Sequence, residues 1–182
     1  FGRLVSERLD IRQAAAGVME RLRDDIGEAV HLIVRDGDHS MYIEKLDTDH
    51  PVRLFTQIGR RAPLYAGASS RIILAHLPEA ERERYLAETE LKPIGEGTIT
   101  DKARLRETLA RSRESGYTIS RSELENYTAE LSAPIFDHTG SIAAGLSIAG
   151  LDVRFGEDQM PMLIDRVKRA AGEISRKLGW NG

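Results

Sequence analysis

GYTISRSELENYTAELSAPIFDHTGSIAAGLSIAG, residues 116–150, is the stretch that decides the fold. Side chains alternate over Ala129–Phe136 and again on the approach to Gly150, the period of strands with two unlike faces. Between these runs Asp137-His138-Thr139-Gly140 makes a tight turn, where Asp can bond nearby backbone and Gly accepts a positive φ. The reading is a polar loop followed by a β-hairpin. On the first strand Glu130 and Ser132 share one face, and Leu131 and Ala133 the other. On the second, Leu146 and Ile148 alternate with Ser147 and Ala149. If the Glu130 and Ser147 faces coincide, a carboxylate and two hydroxyls project together from one sheet. Small side chains around a few convergent polar groups suit a ligand pocket, and a simply solvated face is the alternative.

Upstream, Leu9, Ala14, Ala15, Val18, Met19, Leu22 and Ile26 recur at helical spacing and Gly27 supplies a stop, predicting a helix over about 10–26. The preceding residues carry a stripe of their own, Phe1, Leu4, Val5 and Leu9, suited to the end of a linker helix or a dimer contact. AVHLIVRDGDHSMYIEKLD, from Ala29, reads as a hairpin turning at Asp36-Gly37-Asp38. Val52–Ile58 reads as another strand, with a breaker over Gly59–Pro63. AGASSRIILAHLPEAERERYLAE, from Ala66, reads as two helices parted at Pro78. A Pro- and Gly-rich loop leads to a helix capped by Thr100 and stopped by Gly116. A terminal helix follows the hairpin, with Pro161 in its first turn. Helices interleaved with antiparallel hairpins predict an α+β domain.

The chain's 182 residues suffice for one domain with a sizeable core. A net charge of -3 argues against autonomous nucleic-acid binding, which needs a concentrated basic surface. Arg154, Arg166, Lys168, Arg169, Arg176 and Lys177 cluster late, but Asp158, Asp165 and Glu173 intervene, as on a solvated helix face. The absence of cysteine excludes disulfides, thiolate metal sites and cysteine nucleophiles, and fits the cytoplasm. No apolar run approaches the roughly 20 residues that span a bilayer, and no signal peptide is evident before the first helix. The opening Phe1 suggests a piece excised from a longer protein.

Catalytic motifs find no foothold. The five histidines, His31, His39, His50, His76 and His138, lack the spacing of a helical zinc site and read as surface or turn residues. Gly95-Glu96-Gly97 lacks the strand-turn-helix context of a nucleotide loop. Gly67-Ala68-Ser69-Ser70 lacks the flanking glycines of a nucleophile elbow.

GRRAPLYAGASSRIILAHLP from Gly59, GYTISRSELE from Gly116, SAPIFDHTG from Ser132 and LSIAG from Leu146 fall in one order. Together with the opening helix and hairpin, they resemble the effector-binding domain of the IclR family of bacterial transcriptional regulators, from about residue 8 to the end. The resemblance implies a GAF-like fold, a curved antiparallel sheet flanked by helices. Residues 10–182 would be the effector domain and 1–9 the end of an interdomain helix, with the family's N-terminal winged helix-turn-helix lying outside this chain. It implies no enzyme activity, cofactor, metal or membrane association. The partners it implies are a small organic or aromatic acid, further copies in a homodimer or homotetramer, and DNA through the missing domain only.

Carried over position by position, the pocket would include Gly67, Ala68 and Ser69 at a helix start, where free N–H groups suit an anion. Ser120 and Tyr127 would come from the loop, and Glu130, Leu131, Ser147 and Ala149 from the two strands. Tyr65 stands where the family has histidine, Arg71 where lysine is common, and Asn126-Tyr127 where Pro-Gly is common. Glu130 replaces a small residue, and a carboxylate there favours a ligand with hydroxyl or amino donors. It could instead bond to backbone or to Arg121 and close the pocket. Two other functions stay open: a small-molecule enzyme on the same scaffold, and a dimerisation module whose pocket Tyr65 and Tyr127 fill.

Overall fold

The computed structural model describes residues 2–54 and 56–182. In chain order they form α1 (Gly2–Ile26), β1 (Ala29–Asp36), β2 (His39–Leu46), β3 (Arg61–Pro63), α2 (Ala68–Ala75), α3 (Glu79–Glu88), α4 (Lys102–Ser115), β4 (Thr118–Arg121), β5 (Thr128–Phe136), β6 (Ile142–Leu151) and α5 (Met160–Lys177). The six strands make one antiparallel sheet, ordered β3-β2-β1-β6-β5-β4. The expected α+β architecture is what the chain adopts.

The sheet separates two cores. Val30, Leu32, Leu131, Ala133, Leu146 and Ile148 pack on one face against Ile11, Val18 and Leu22 of α1 and Leu163, Val167 and Ile174 of α5. On the other face Ile33 and Tyr42 meet Ile72 and Ile73 of α2, with Leu105 and Leu109 of α4 behind. Strand alternation sends neighbouring residues to opposite cores, so one register error would invert both.

Three local expectations change. Val52–Ile58 forms no strand among its described residues (Phe55 lies outside them), and Val52 and Ile58 are 64% and 53% exposed. The edge of β2 is instead paired by Arg61–Pro63, within the segment read as a breaker. An edge strand tolerates a proline because its outward side needs no N–H. Second, the supposed loop after Gly116 contains β4, whose Ser120 lies opposite Glu130. Its inward residues Thr118 and Ser120 are polar, so the strand carries no hydrophobic signature. Third, α4 is capped by Asp101 rather than Thr100: the Asp101 carboxylate accepts the Ala103 N–H at 3.0 Å. A carboxylate also suits the positive end of the helix. Gly116 ends α4 in the left-handed region, φ 80°, as expected.

α1 is one continuous helix across residues 9 and 10. Leu4, Val5 and Leu9 are exposed on it, and Phe1, the first member of their stripe, lies outside the described residues. Ion pairs of both polarities join α5 to α1: Arg166 of α5 with Asp25, and Arg21 of α1 with Glu173.

Candidate functional site

α2 lies very close to the sheet because glycine lets it. A Cβ on Gly145 of β6 would come within 2.9 Å of the Ile72 side chain and 3.5 Å of the Ser69 carbonyl. Small residues in the alanine- and serine-rich start of α2 therefore do serve close helix-to-sheet packing. That approach brings the α2 start over the polar stripe of the sheet. Register pairs Ser132 with Ser147 and Glu130 with Ala149, which puts the Glu130 and Ser147 faces together.

The groups on this face are bonded to one another. Ser69 donates to Glu130 Oε2 at 2.5 Å, and Tyr42 of β2 donates to the same oxygen at 3.0 Å. Ser69 also bonds Ser147 at 2.9 Å, and Ser147 contacts Ser132. Burial drives the Glu130 carboxyl above the ordinary carboxylate range, and the Ser69 and Tyr42 hydrogen bonds offset this only in part. The solvated-face alternative fails, since Glu130, Ser132, Ser147 and Ala149 are all buried. So does closure by Arg121, which bonds Asp152 and the Phe155 carbonyl instead.

Beside this network His31 of β1 stacks on Tyr42 with ring centroids 4.9 Å apart. It is 2% exposed, and its Nδ1 has no hydrogen-bond partner among the described residues. Burial pushes its pKa down to about 4. His31, Tyr42, Thr56, Arg60, Leu124, Thr128, Glu130 and Ala149 are among the residues around a cavity of about 20 Å³. That is room for about one water molecule.

The start of α2 is not an open anion site. Glu123, buried on the β4–β5 connection, accepts the Gly67 N–H at 3.1 Å, and Ser120 Oγ accepts the Ala68 N–H at 2.9 Å. Glu123 also pairs with Arg71, a side chain 1% exposed that reaches on to the Ile119 carbonyl at 2.8 Å. The protein thus supplies its own carboxylate where the helix start offered a place for one. Gly67 is required here: φ is 85°, and a Cβ would lie 2.9 Å from Glu130 Oε1.

Of the residues singled out from sequence, Gly67, Ala68, Ser69, Ser120, Glu130, Ser147 and Ala149 come together between α2 and the sheet. Leu131 does not, because it points into the α1–α5 core. Nor does Tyr127: it adopts φ 67° and is 74% exposed. Tyr65 is buried away from the cavity lining and bonds both backbone groups of Lys92. Neither tyrosine fills the pocket. His31 is a core residue rather than a surface one. His31, Tyr42, Arg60 and Glu123 were not identified from sequence, although His31 shares a strand face with the buried Ile33, a signal in plain view.

A model of the bacterial transcriptional regulator IclR C-terminal domain matches residues 4–176. The chain belongs to the IclR family. It is 54% identical over 180 residues to the HTH-type transcriptional regulator KipR of Bacillus subtilis, covering 99% of this chain and 72% of that protein. The Thermotoga maritima IclR crystal structure superposes with a TM-score of 0.91 at 37% identity, covering 98% of this chain and 72% of that one. An IclR homologue from Microbacterium hydrocarbonoxydans, solved with 4-hydroxybenzoate, superposes with a TM-score of 0.84 at 27% identity, covering 93% and 68%. This IclR chain is therefore a C-terminal domain of the kind carried by transcriptional regulators. Among its described residues no cluster of His, Asp and Glu could hold a metal ion, and no helix is long and apolar enough to cross a membrane.

Proposed function

We propose that the cavity beside the α2–sheet contact, walled by the sheet and by the β2–β3 and β4–β5 connections, receives a small organic acid, and that its occupancy reports to a DNA-binding domain joined through α1. The carrying observation is the buried polar network of Glu130, Ser69, Tyr42 and Ser147. Buried polar groups destabilise a domain unless satisfied, and a patch of them beside an unpartnered histidine suits recognition better than structural packing. The acid bound by the Microbacterium homologue supports the ligand class. In this reading the chain also assembles with further copies as a dimer or tetramer. The effector acts by binding one arrangement of that assembly more tightly than another, since equal affinity for both would shift nothing. It is bound and released unchanged, without turnover.

A screen of aromatic, keto, hydroxy and sugar acids by thermal shift, on wild type and Glu130→Ser in parallel, tests this. A ligand at about 100 times its Kd stabilises the native state by about 2.7 kcal/mol. A hit altered by the substitution supports the reading. The cavity of about 20 Å³ favours one rival, a pocket closed by its own side chains. Universal failure to stabilise the domain would decide for that rival.

A further inference from the structure

Within the effector-binding reading, on which this rests, we propose that the ligand enters neutral end first. An uncharged group that both donates and accepts a hydrogen bond, a hydroxyl or an amide, sits between His31 and Glu130. A carboxylate on the same molecule faces outward to Arg60.

The orientation follows from which groups are already committed. The N–H groups of Gly67 and Ala68 are taken by Glu123 and Ser120, and Arg71 is bound to Glu123. A carboxylate arriving at the α2 start would have to displace Glu123 from the Gly67 N–H and then lie beside that buried carboxylate. It would also lie beside Glu130. The inner end of the cavity is therefore unsuited to an anion.

What remains there is neutral and incompletely bonded. Tyr42 and Ser69 both donate to Oε2 of Glu130, which leaves Oε1 as its free position. Burial raises the Glu130 pKa; in the protonated acid the hydroxyl belongs on Oε1, opposite the two donors to Oε2, which makes that oxygen a donor. His31, kept neutral by burial, brings the unpartnered Nδ1. A hydroxyl, or the C=O and N–H of an amide, answers both groups at once. With Oε1–H as donor and, in the Nε2–H tautomer of His31, Nδ1 as acceptor, an ammonium or a carboxylate answers only one of them.

The outer end differs. Arg60 is the cation among the cavity-lining residues, and its nearest acidic partner, Glu125, stands 3.7 Å away with half its side chain exposed. Arg60 acts electrostatically on His31, Tyr42 and Glu130 alike, as expected of a charge facing the same space. Leu54, Thr56 and Arg60 belong to the connection between β2 and β3. These three residues lie outside the strands, and the Tyr42 N–H of β2 donates to the Arg60 carbonyl at 3.0 Å, so room for a ligand comes from movement of their side chains rather than from rupture of the sheet.

The test is calorimetric titration of this chain with lactate and succinamate, which carry a carboxylate plus a hydroxyl or an amide. Propionate lacks the neutral group, succinate is charged at both ends, and lactamide lacks the carboxylate. At least one of the first two should bind about tenfold tighter than all three controls, the scale of one charged or neutral hydrogen bond. Whichever of lactate and succinamate binds tighter identifies the group as hydroxyl or amide. His31→Phe should erase the preference over propionate, and Arg60→Gln the preference over lactamide. In wild type the ¹⁵N resonance of His31 Nδ1 should shift on binding, a readout independent of whether the variants fold well. Equal binding of propionate, or binding that leaves Nδ1 unmoved, overturns the orientation while the effector reading stands. No binding by any of the five overturns the proposal; the effector reading then falls only if the wider acid screen is also empty.

Discussion

On the α1–α5 side of the sheet, β5 and β6 present Leu131, Ala133, Leu146 and Ile148, and nothing polar interrupts them. On the α2 side the alternate residues of those same strands are Glu130, Ser132, Ser147 and Ala149, equally buried. The two faces share backbone, register and burial, so only side-chain chemistry distinguishes them. The apolar face gains stability from every buried methylene. The polar face must satisfy each group it buries merely to break even, and it retains a histidine nitrogen that it does not satisfy. Such asymmetry across one sheet marks the side on which recognition, rather than stability, has shaped the residues.

The largest way to break the comparison lies at the clamp on the polar side. Arg71→Met strands the buried Glu123 carboxylate and should lower unfolding free energy by about 3–5 kcal/mol in urea titration. The double variant Arg71→Met/Glu123→Leu should recover most of that loss, because the charge is removed with its partner. If the double variant is as weak as the single, the clamp contributes more than mutual neutralisation.

Across the sheet, Leu131→Ala should cost about 3 kcal/mol by opening a cavity in the α1–α5 core. Affinity for any ligand of the folded domain should not change. Altered affinity would mean that the two faces communicate.

Acid sharpens the contrast, because only the polar face titrates. Native His31 takes its proton near pH 4, whereas the unfolded chain does so near 6.5. The unfolded state therefore binds more protons in that window, and stability falls as pH drops through it, by up to about 3 kcal/mol. Glu130, with its pKa raised by burial, acts oppositely: the native state gains stability as pH falls through its folded value. Asp47, Arg60 and Lys45 also bear on His31 and modulate the window. Denaturation midpoints measured between pH 7 and 4 should decline less for His31→Phe than for wild type, and more for Glu130→Gln.

The smallest effect concerns Tyr127, whose left-handed backbone and exposed ring serve neither face. Tyr127→Gly removes the left-handed penalty but loosens the unfolded chain, for a net change of about 1 kcal/mol or less. Ligand binding should be untouched. A large loss of affinity would restore the tyrosine to the site.

Element type was legible wherever a segment had one apolar face. The β1–β2 and β5–β6 hairpins, the break at Pro78 and the stop at Gly116 each follow from local periodicity or backbone preference. β4 escaped because its buried face is polar, and Val52–Ile58 misled because alternation without a partner strand is not a strand. In the site, the strand positions Glu130, Ser147 and Ala149 were readable from alternation and family resemblance. Leu131 was included against its own parity. His31, Tyr42, Arg60 and Glu123 come from four different segments, and no local pattern associates them.

The sequence by itself determined the family, the α+β class and the polar character of one strand face, since these depend on residue order and short-range periodicity. Only the tertiary structure decided who bonds to whom on that face. The approach of α2 over Gly145 delivers Ser69 to Glu130, and the β4–β5 connection delivers Glu123 to the N–H groups of the helix start. Whether a polar group is free for a ligand depends on partners distant in the chain, and burial raises the energy of leaving any of them unmatched.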